Sequence, residues 1–479
     1  MENNKFNAYK LSEPLMKALD LMGYKTPTEV QKQSIPVLKE EKDLIIKSET
    51  GSGKTAAFAI PIIDAIDWEE NTPQVLVLTP TRELAQQVGQ EMFNIGRFKR
   101  MKVSTVYGKS PIKSQIKDLK QKTHIVVGTP GRVLDHIKRE TLDLSKIKYM
   151  VLDEADEMLN MGFVDQINEV LQKLPLGYTM TLLSATLPED ISHICETYMS
   201  HPSVVEIEKK TTYDRIEQLR YDISKTDKMK LLLDVTVVEN PDSCMIFCNT
   251  RAQVDEIFET LNSEGYKCNR LHGGMEQDDR TKVMTNFRKG YFNYLVATDV
   301  AARGIDIDNI SIVINYDLPE EAEVYVHRIG RTGRKDNFGK AISFVSQDAY
   351  LLKAISKLTS LELVLCDVPA DEVVELHRSA FDEKMKKRPT IKHEKHTELN
   401  QEIMKLHINA GKKTKMRAGD VVGALCSIEG ISQEDIGNIS IIDVSTFVEI
   451  LNNKGPEVFK ALQKTPIKGR IRKVNKARA

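Results

Sequence analysis

The string ETGSGKT, residues 49 to 55, follows the apolar run 44–46 after only Lys47 and Ser48 and leaves this part of the chain few ways to fold. Glycines in a loop that leaves a buried strand let backbone N–H groups curl round an anion, and the dipole of a following helix favours negative charge there. Such a loop needs a strand before it and a helix after it, which commits the region to alternating β/α structure. Thr50, Gly51, Ser52 and Gly53 are placed as a phosphate cradle, Lys54 reaches the β and γ oxygens, and the Thr55 hydroxyl is a ligand for Mg²⁺. The general pattern G-x-x-x-x-G-K-[ST] has Ser48 where its first glycine would stand, and serine is small enough to keep the turn. Further along, Asp153, Glu154, Ala155 and Asp156 close the strand-like Tyr149 to Leu152. Three carboxylates at one strand end repel one another without a cation, which argues for a metal. Asp153 is therefore predicted to hold Mg²⁺ and Glu154 to orient and deprotonate an attacking water, together forming a site for ATP and its hydrolysis.

Short Val, Ile and Leu-rich runs alternate with helical patterns from Asp43 to Ile207, at 75–79, 102–107, 125–128, 150–152, 181–184 and 204–207. Near-continuous apolar strands of that kind belong to a parallel sheet covered on both faces. A second series follows Lys209, at 219–223, 244–248, 267–271, 294–298, 312–315 and 341–344, with no phosphate loop of its own. The predicted fold class is α/β, two tandem parallel-sheet domains at 1–208 and 209–370. Residues 371–403 read as a short helix and a solvated linker broken at Pro389, and 404–479 as a small α+β unit in the order βαββαβ.

At 479 residues the chain has room for two to four domains, since single cores rarely grow much beyond ~250 residues. Its net charge of −1 hides an asymmetry: residues 404–479 carry roughly +7, and the chain before 372 roughly −8. A basic module on an acidic engine suits a nucleic-acid anchor. The six cysteines show neither C-x-x-C spacing nor histidine partners, so neither a zinc site nor a disulfide framework is suggested and small core residues in a reducing compartment are expected. No run approaches the ~18 apolar residues of a membrane span, so a cytoplasmic monomer with no membrane partner is expected.

Residues 20–340 resemble the DEAD-box RNA helicases, whose folds are RecA-like, and the resemblance covers every short block that marks the family. Gly23 to Gln31 is similar to its adenine-sensing Q motif. Gln31 would accept from the adenine N6 amine and donate to N7, with Phe6 or Tyr24 supplying an aromatic face, so ATP is preferred over GTP. Pro80 and Arg82 in PTRELA, and Thr129 and Arg132 in TPGR, are then RNA contacts of the first domain; VYGK at 106–109 departs from the family's Gly-Gly doublet. Ser184 and Thr186 in SAT link hydrolysis to RNA binding through the carboxylates of 153–156. In the second domain the resemblance assigns Asn249, Arg251, Gly273, Arg280 and Thr298 to the RNA backbone, and Gly304 and Asp306 to the ATP ribose. In HRIGRTGR at 327–334, Arg331 and Arg334 are the arginine fingers, an effect worth roughly 10³ to 10⁵ in rate elsewhere. His327 joins this catalytic block as a sensor of the γ-phosphate or a bridge to the 184–186 turn.

Residues 404–479 resemble the RNA-binding tail of the DbpA group of bacterial DEAD-box proteins, above all in KMRAGDVVGAL at 415–425. That resemblance implies a hairpin of 23S ribosomal RNA and the large-subunit precursor as partners. Alternation along the first strand puts Lys405 and His407 on the open sheet face, with Phe447 and Glu449 from the third. Asp443 and Ser445 stand where ordinary RNA recognition modules carry basic and aromatic residues. The RNA grip is therefore expected from Lys405, Lys412, Lys413, Lys415, Arg417, Lys468 and Arg470.

Overall fold

The computed structural model describes residues 5–48, 52–207, 215–299, 310–333, 338–346, 349–359, 362–387 and 402–477. It divides into two units, residues 1–207 with 394–479, and residues 208–393.

In the first unit, β1 (Leu44–Lys47), β2 (Val75–Leu78), β3 (Val103–Val106), β4 (Ile125–Gly128), β5 (Tyr149–Leu152), β6 (Thr179–Ser184) and β7 (Ser203–Glu206) form a parallel sheet in the order β3-β4-β2-β5-β6-β1-β7. Both faces are covered, which is why these strands read as apolar runs and not as alternations. Leu44, Ile46, Val75 and Val77 pack into one core with the helix Lys54–Ala65, while Ile45, Leu76 and Leu78 pack into the opposite one. The carboxyl ends of β1, β2, β4, β5 and β6 all lead into loops along one edge, where ligands of open α/β sheets bind.

The second unit repeats the plan with β8 (Ile216–Asp222), β9 (Cys244–Cys248), β10 (Cys268–Leu271), β11 (Tyr294–Thr298), β12 (Ile312–Asn315), β13 (Gly339–Val345) and β14 (Val364–Leu365), in the order β10-β11-β9-β12-β13-β8-β14. The sequence does not announce β14: two residues give no periodicity, and only pairing of Val364 and Leu365 with Leu219 and Arg220 makes them a strand. The helix expected to be short spans Asp371–Lys386, 16 residues. It is no preface to a linker alone, because Val374 and Phe381 are buried in this unit's core and the Phe381 ring lies 5.0 Å from Tyr266.

Residues 402–477 carry an antiparallel sheet of β15 (Met404–Ile408), β16 (Ile436–Ile441), β17 (Thr446–Ile450) and β18 (Val474–Lys476), in the order β16-β17-β15-β18. With the helices Ala418–Cys426 and Gly455–Leu462 this gives the expected βαββαβ order. Leu406, Ile408, Val448 and Ile450 meet Val421, Leu425, Val458 and Leu462 in one small core. β16 starts three residues earlier than its apolar run suggests, because a register shift between Ile436 and Ile439 lets it pair twice with β17. The last strand begins only at Val474, since Ile467 and Arg470 first close a turn. Gly411, just past β15, is required where the chain passes the turn between β16 and β17: a Cβ would stand 2.1 Å from the Ile442 carbonyl oxygen.

Candidate active site and RNA-contact surfaces

The phosphate loop is built around Gly53, the residue before the helix Lys54–Ala65. Its φ is +90°, and a Cβ there would lie 2.7 Å from Gln31 Nε2, so two constraints demand glycine. Gln31 belongs to the helix Glu29–Lys39, where its Oε1 accepts from the Thr28 N–H at 3.0 Å and its Nε2 donates to the Gly53 carbonyl at 3.2 Å. The amide that the sequence assigns to adenine thus also ties its own helix to the glycine-rich loop. Lys54 is buried and donates to the Ser48 carbonyl at 2.8 Å, while the Ser48 and Ser52 hydroxyls are 2.7 Å apart. Ser48 therefore takes part in the loop that a glycine would merely permit. Thr55 follows in the first helical turn.

Phe6 sits on the short 3₁₀ helix Lys5–Tyr9 and has no exposed surface; its ring meets Tyr24 edge-on at 6.3 Å and Tyr9 at 6.1 Å. The Tyr24 hydroxyl donates to Glu91 at 2.9 Å. Both rings lie beside the Gln31 helix in the core cluster or packed on it.

The carboxylates sit where β5 ends. Asp153 is 4 % exposed, and burial with the neighbouring Glu154 pushes its carboxyl up to about 7, against a smaller opposing pull from Lys54. A buried acid whose charged form is disfavoured by burial and by a neighbouring carboxylate is poised to ionise when a cation arrives. Glu154 has φ 54° and ψ 55°, a left-handed conformation that costs a non-glycine residue of order 1 kcal/mol or more and collects at working sites. Asp156 accepts from the Ala185 and Thr186 N–H groups at 3.0 Å each and from the Thr186 hydroxyl at 3.2 Å, and its own N–H donates to the Ser184 hydroxyl at 3.3 Å. The tetrad and the 184–186 turn are thus one hydrogen-bonded piece. Among the described residues no group of three or more His, Cys, Asp or Glu could hold a metal alone. That donor set fits Mg²⁺, which keeps its waters and is bound through one or two carboxylates plus substrate phosphates.

Pro80 is buried and Arg82 half-buried at the start of the helix Arg82–Ile95, whose cap is Thr81, accepting from Leu84 N–H at 3.2 Å. Thr129 precedes the helix Pro130–Lys138. Arg132 is turned inward: it donates to the Ser110 carbonyl at 3.0 Å and to Gln115 Oε1 at 2.9 Å, in a network that includes His136.

In the second unit Arg251 opens the helix Arg251–Ser263, and Gly273 lies beside its guanidinium: a Cβ there would stand 3.3 Å from Nη2. Arg280 lies in the first turn of the helix Gln277–Arg288, and Thr298 is buried at the end of β11. The Asn249 amide is engaged internally, donating to the Leu318 carbonyl at 2.9 Å and accepting from Arg328 at 3.0 Å. Arg328 is the residue that sequence reasoning passed over. It is 1 % exposed, grips Asp299 through two bonds of 2.6 Å, and also donates to Asn315 Oδ1 and the Asp317 carbonyl. A fully buried arginine thereby fixes the strand ends that carry Asn249, Thr298 and Asp299. His327 is half-buried and Arg331 is 8 % exposed, at the end of the helix Ala322–Ile329 and just past it. Thr50, Gly51, Gly304, Asp306 and Arg334 lie outside the described residues.

On the C-terminal module Lys412, Lys413, Lys415, Arg417, Lys468 and Arg470 are all exposed, and Lys468 reaches across to Asp420 at 3.1 Å and to the Lys415 carbonyl. The two basic loops therefore form one edge. His407 and Phe447 stack at 5.0 Å, with the Lys405 ammonium 5.6 Å from the Phe447 ring centre.

Comparison with known proteins agrees with this geometry. The chain matches the DEAD/DEAH box helicase family over residues 28–194, the helicase conserved C-terminal domain over 227–336 and the DbpA RNA binding domain over 405–476. It is 51% identical to the ATP-dependent RNA helicase DbpA of Bacillus subtilis over 474 residues, covering 98% of this chain and 99% of that one. It is 41% identical over 384 residues to the DEAD-box ATP-dependent RNA helicase CshA of the same organism, covering 80% and 78%. Among solved structures, S. cerevisiae Dbp5 bound to RNA and ADP BeF3 superposes with a TM-score of 0.70 at 32% identity, covering 79% of this chain and 100% of that one.

Proposed function

We propose, because the chain belongs to the DEAD-box ATP-dependent RNA helicases and ends in a DbpA RNA binding domain, that its ATP turnover is gated by RNA and directed to 23S ribosomal RNA during large-subunit assembly. The enzyme hydrolyses ATP. With MgATP bound, Lys54 would sit on the β and γ oxygens, and Thr55 and Asp153 would hold Mg²⁺, which offsets negative charge on the phosphoryl group. Glu154 takes the proton of the attacking water as its oxygen bonds to the γ-phosphorus and the bond to the β-phosphate oxygen breaks. Gln31 selects adenine, and Arg331 and Arg334 of the second unit stabilise charge on the transferred group. Since hydrolysis and RNA binding both draw on residues of the two units, ATP and RNA raise one another's affinity by the same factor.

The observation that supports this reading is the bonding of Asp156 to the 184–186 turn, which ties the tetrad to the block that the family resemblance assigns to RNA coupling. The deciding experiment is ATPase stimulation by a panel of RNA fragments, with Glu154→Gln as control. Turnover should be low without RNA and highest with one 23S fragment, and the variant should bind ATP and RNA without turning over. Comparable rates with and without RNA would refute the gating.

A further inference from the structure

The open face of the module's sheet is where an RNA-recognition fold would stack bases, yet at its centre it carries an acid. Glu449 on β17 stands opposite Lys405 on β15 and beside the His407–Phe447 stack. Phosphate would be repelled there, in a module that is otherwise strongly basic. Glu449 is 6 % exposed, and what covers it is the first helicase domain of the same unit. Arg97, just past the helix Arg82–Ile95, donates to Glu449 Oε1 at 3.1 Å with its guanidinium 5.1 Å from the Phe93 ring centre. Three further cations of the helicase domain reach acceptors on the module: Lys102 to the Ile439 carbonyl at 2.5 Å, Arg100 to the Gln433 carbonyl, and Lys17 to Asn452 at 2.6 Å and Glu402 at 3.3 Å.

We propose that the acid-bearing sheet face of the C-terminal module is a docking surface for the module's own first helicase domain, locked by the Arg97–Glu449 pair, and that it serves this contact in place of base stacking. Charge complementarity argues for it: cations come from the acidic partner, and acids or carbonyls from the basic one. The contact also explains Lys102, whose ammonium is pushed down to about 8 chiefly by burial. The seam is polar and incompletely filled. A groove of about 350 Å³ remains beside it, with Lys102 and Ser104 on one wall and Asn438 and Phe447 on the other. The Asn438 amide and Glu449 Oε2 are buried there without a hydrogen-bond partner. An interface of that kind holds by charge more than by apolar area, so salt and single charge reversals should open it. Docked this way, the edge bearing Lys412 to Arg417 and Lys468 keeps a fixed relation to the domain that binds the triphosphate. The docking does not depend on which RNA that edge takes.

The test uses the full chain. Arg97→Glu and Glu449→Arg should each speed amide hydrogen exchange across residues 97–106, the stretch entering and forming edge strand β3, by at least threefold, and the double swap should restore the wild-type rate. Glu449→Gln, which loosens the seam without adding a cation, should leave affinity for a 23S rRNA fragment within twofold. Unchanged exchange in both reversals, or no restoration in a double variant that still melts cooperatively, overturns the docking. A tenfold loss of affinity in Glu449→Gln shows that RNA uses this face and overturns it equally.

Discussion

Asp153 titrates in a window set by its burial. Its carboxyl is raised from 3.8 to about 7, so the folded state favours the protonated form. The stability this contributes is fully present below the unfolded value and is lost as pH rises through about 7, where the nucleotide-free protein must bury a negative charge. Binding of MgATP should reverse the preference and release a proton. Calorimetry at pH 6.5 in buffers of different ionisation enthalpy should detect net proton uptake by the buffer, and Asp153→Asn should abolish it; equal signals in both proteins would remove Asp153 from the metal site. Arg328 poses the opposite problem, a permanent cation with almost no exposure. Arg328→Ala strips Asp299 of a bidentate partner and leaves the Asp317 carbonyl and the Asn249 amide oxygen without their donor. Breaking such a buried pair costs about 3–5 kcal/mol. Arg328→Lys should recover little of it, because an ammonium cannot reproduce the planar fork. Thermal melts should show the loss in the transition of the second unit, with nucleotide binding by the first unit retained.

Elements differ in how plainly the sequence declares them, and the reason is range. The phosphate loop, the tetrad and the strands that carry them are local: a strand buried on both faces is apolar throughout, and a loop at its end has few acceptable residues. Ends of strands were less legible because pairing, not composition, sets them, as the register shift in β16 shows. Arg328 escaped notice for a related reason, since its partners at 249, 299, 315 and 317 meet it only in the fold. The inward turn of Arg132 onto Ser110 and Gln115 is likewise invisible in a string that reads as a helix start. The helix Asp371–Lys386 is the element whose role the sequence understated. Its charged composition suggests a solvated spacer, but Val374 and Phe381 face one way and the salt bridge from Lys384 to Asp242 at 2.6 Å ties it further down. Phe381→Ala should cost the second unit about 3–5 kcal/mol, as large-to-small core changes do. Urea titration of residues 208–393 measures it, and a loss under 1 kcal/mol would return the helix to the status of a spacer.

At the scale of the whole molecule, charge is sorted by module, and that sorting predicts how RNA affinity responds to salt. On the proposed reading, the exposed edge of Lys412, Lys413, Lys415, Arg417, Lys468 and Arg470 would contribute phosphate contacts beyond those of the helicase domains. Each neutralised phosphate adds roughly 0.7 to 0.9 to the slope of log affinity against log salt. Replacing Lys412 and Lys413 by alanine should lower that slope by between one and two and weaken binding at moderate salt, while turnover at saturating RNA stays near wild type because Lys54, Asp153 and Glu154 are untouched. Removing residues 404–479 should go further. The remaining chain keeps both parallel-sheet domains, and with them ATP hydrolysis and weak, salt-sensitive RNA binding. It should lose its preference among RNAs, so that the affinity ratio between a 23S fragment and an unrelated hairpin falls towards one. If the truncated protein kept the full ratio, sequence selection would have to reside in the helicase domains, whose proposed contacts are to backbone and carry no base information.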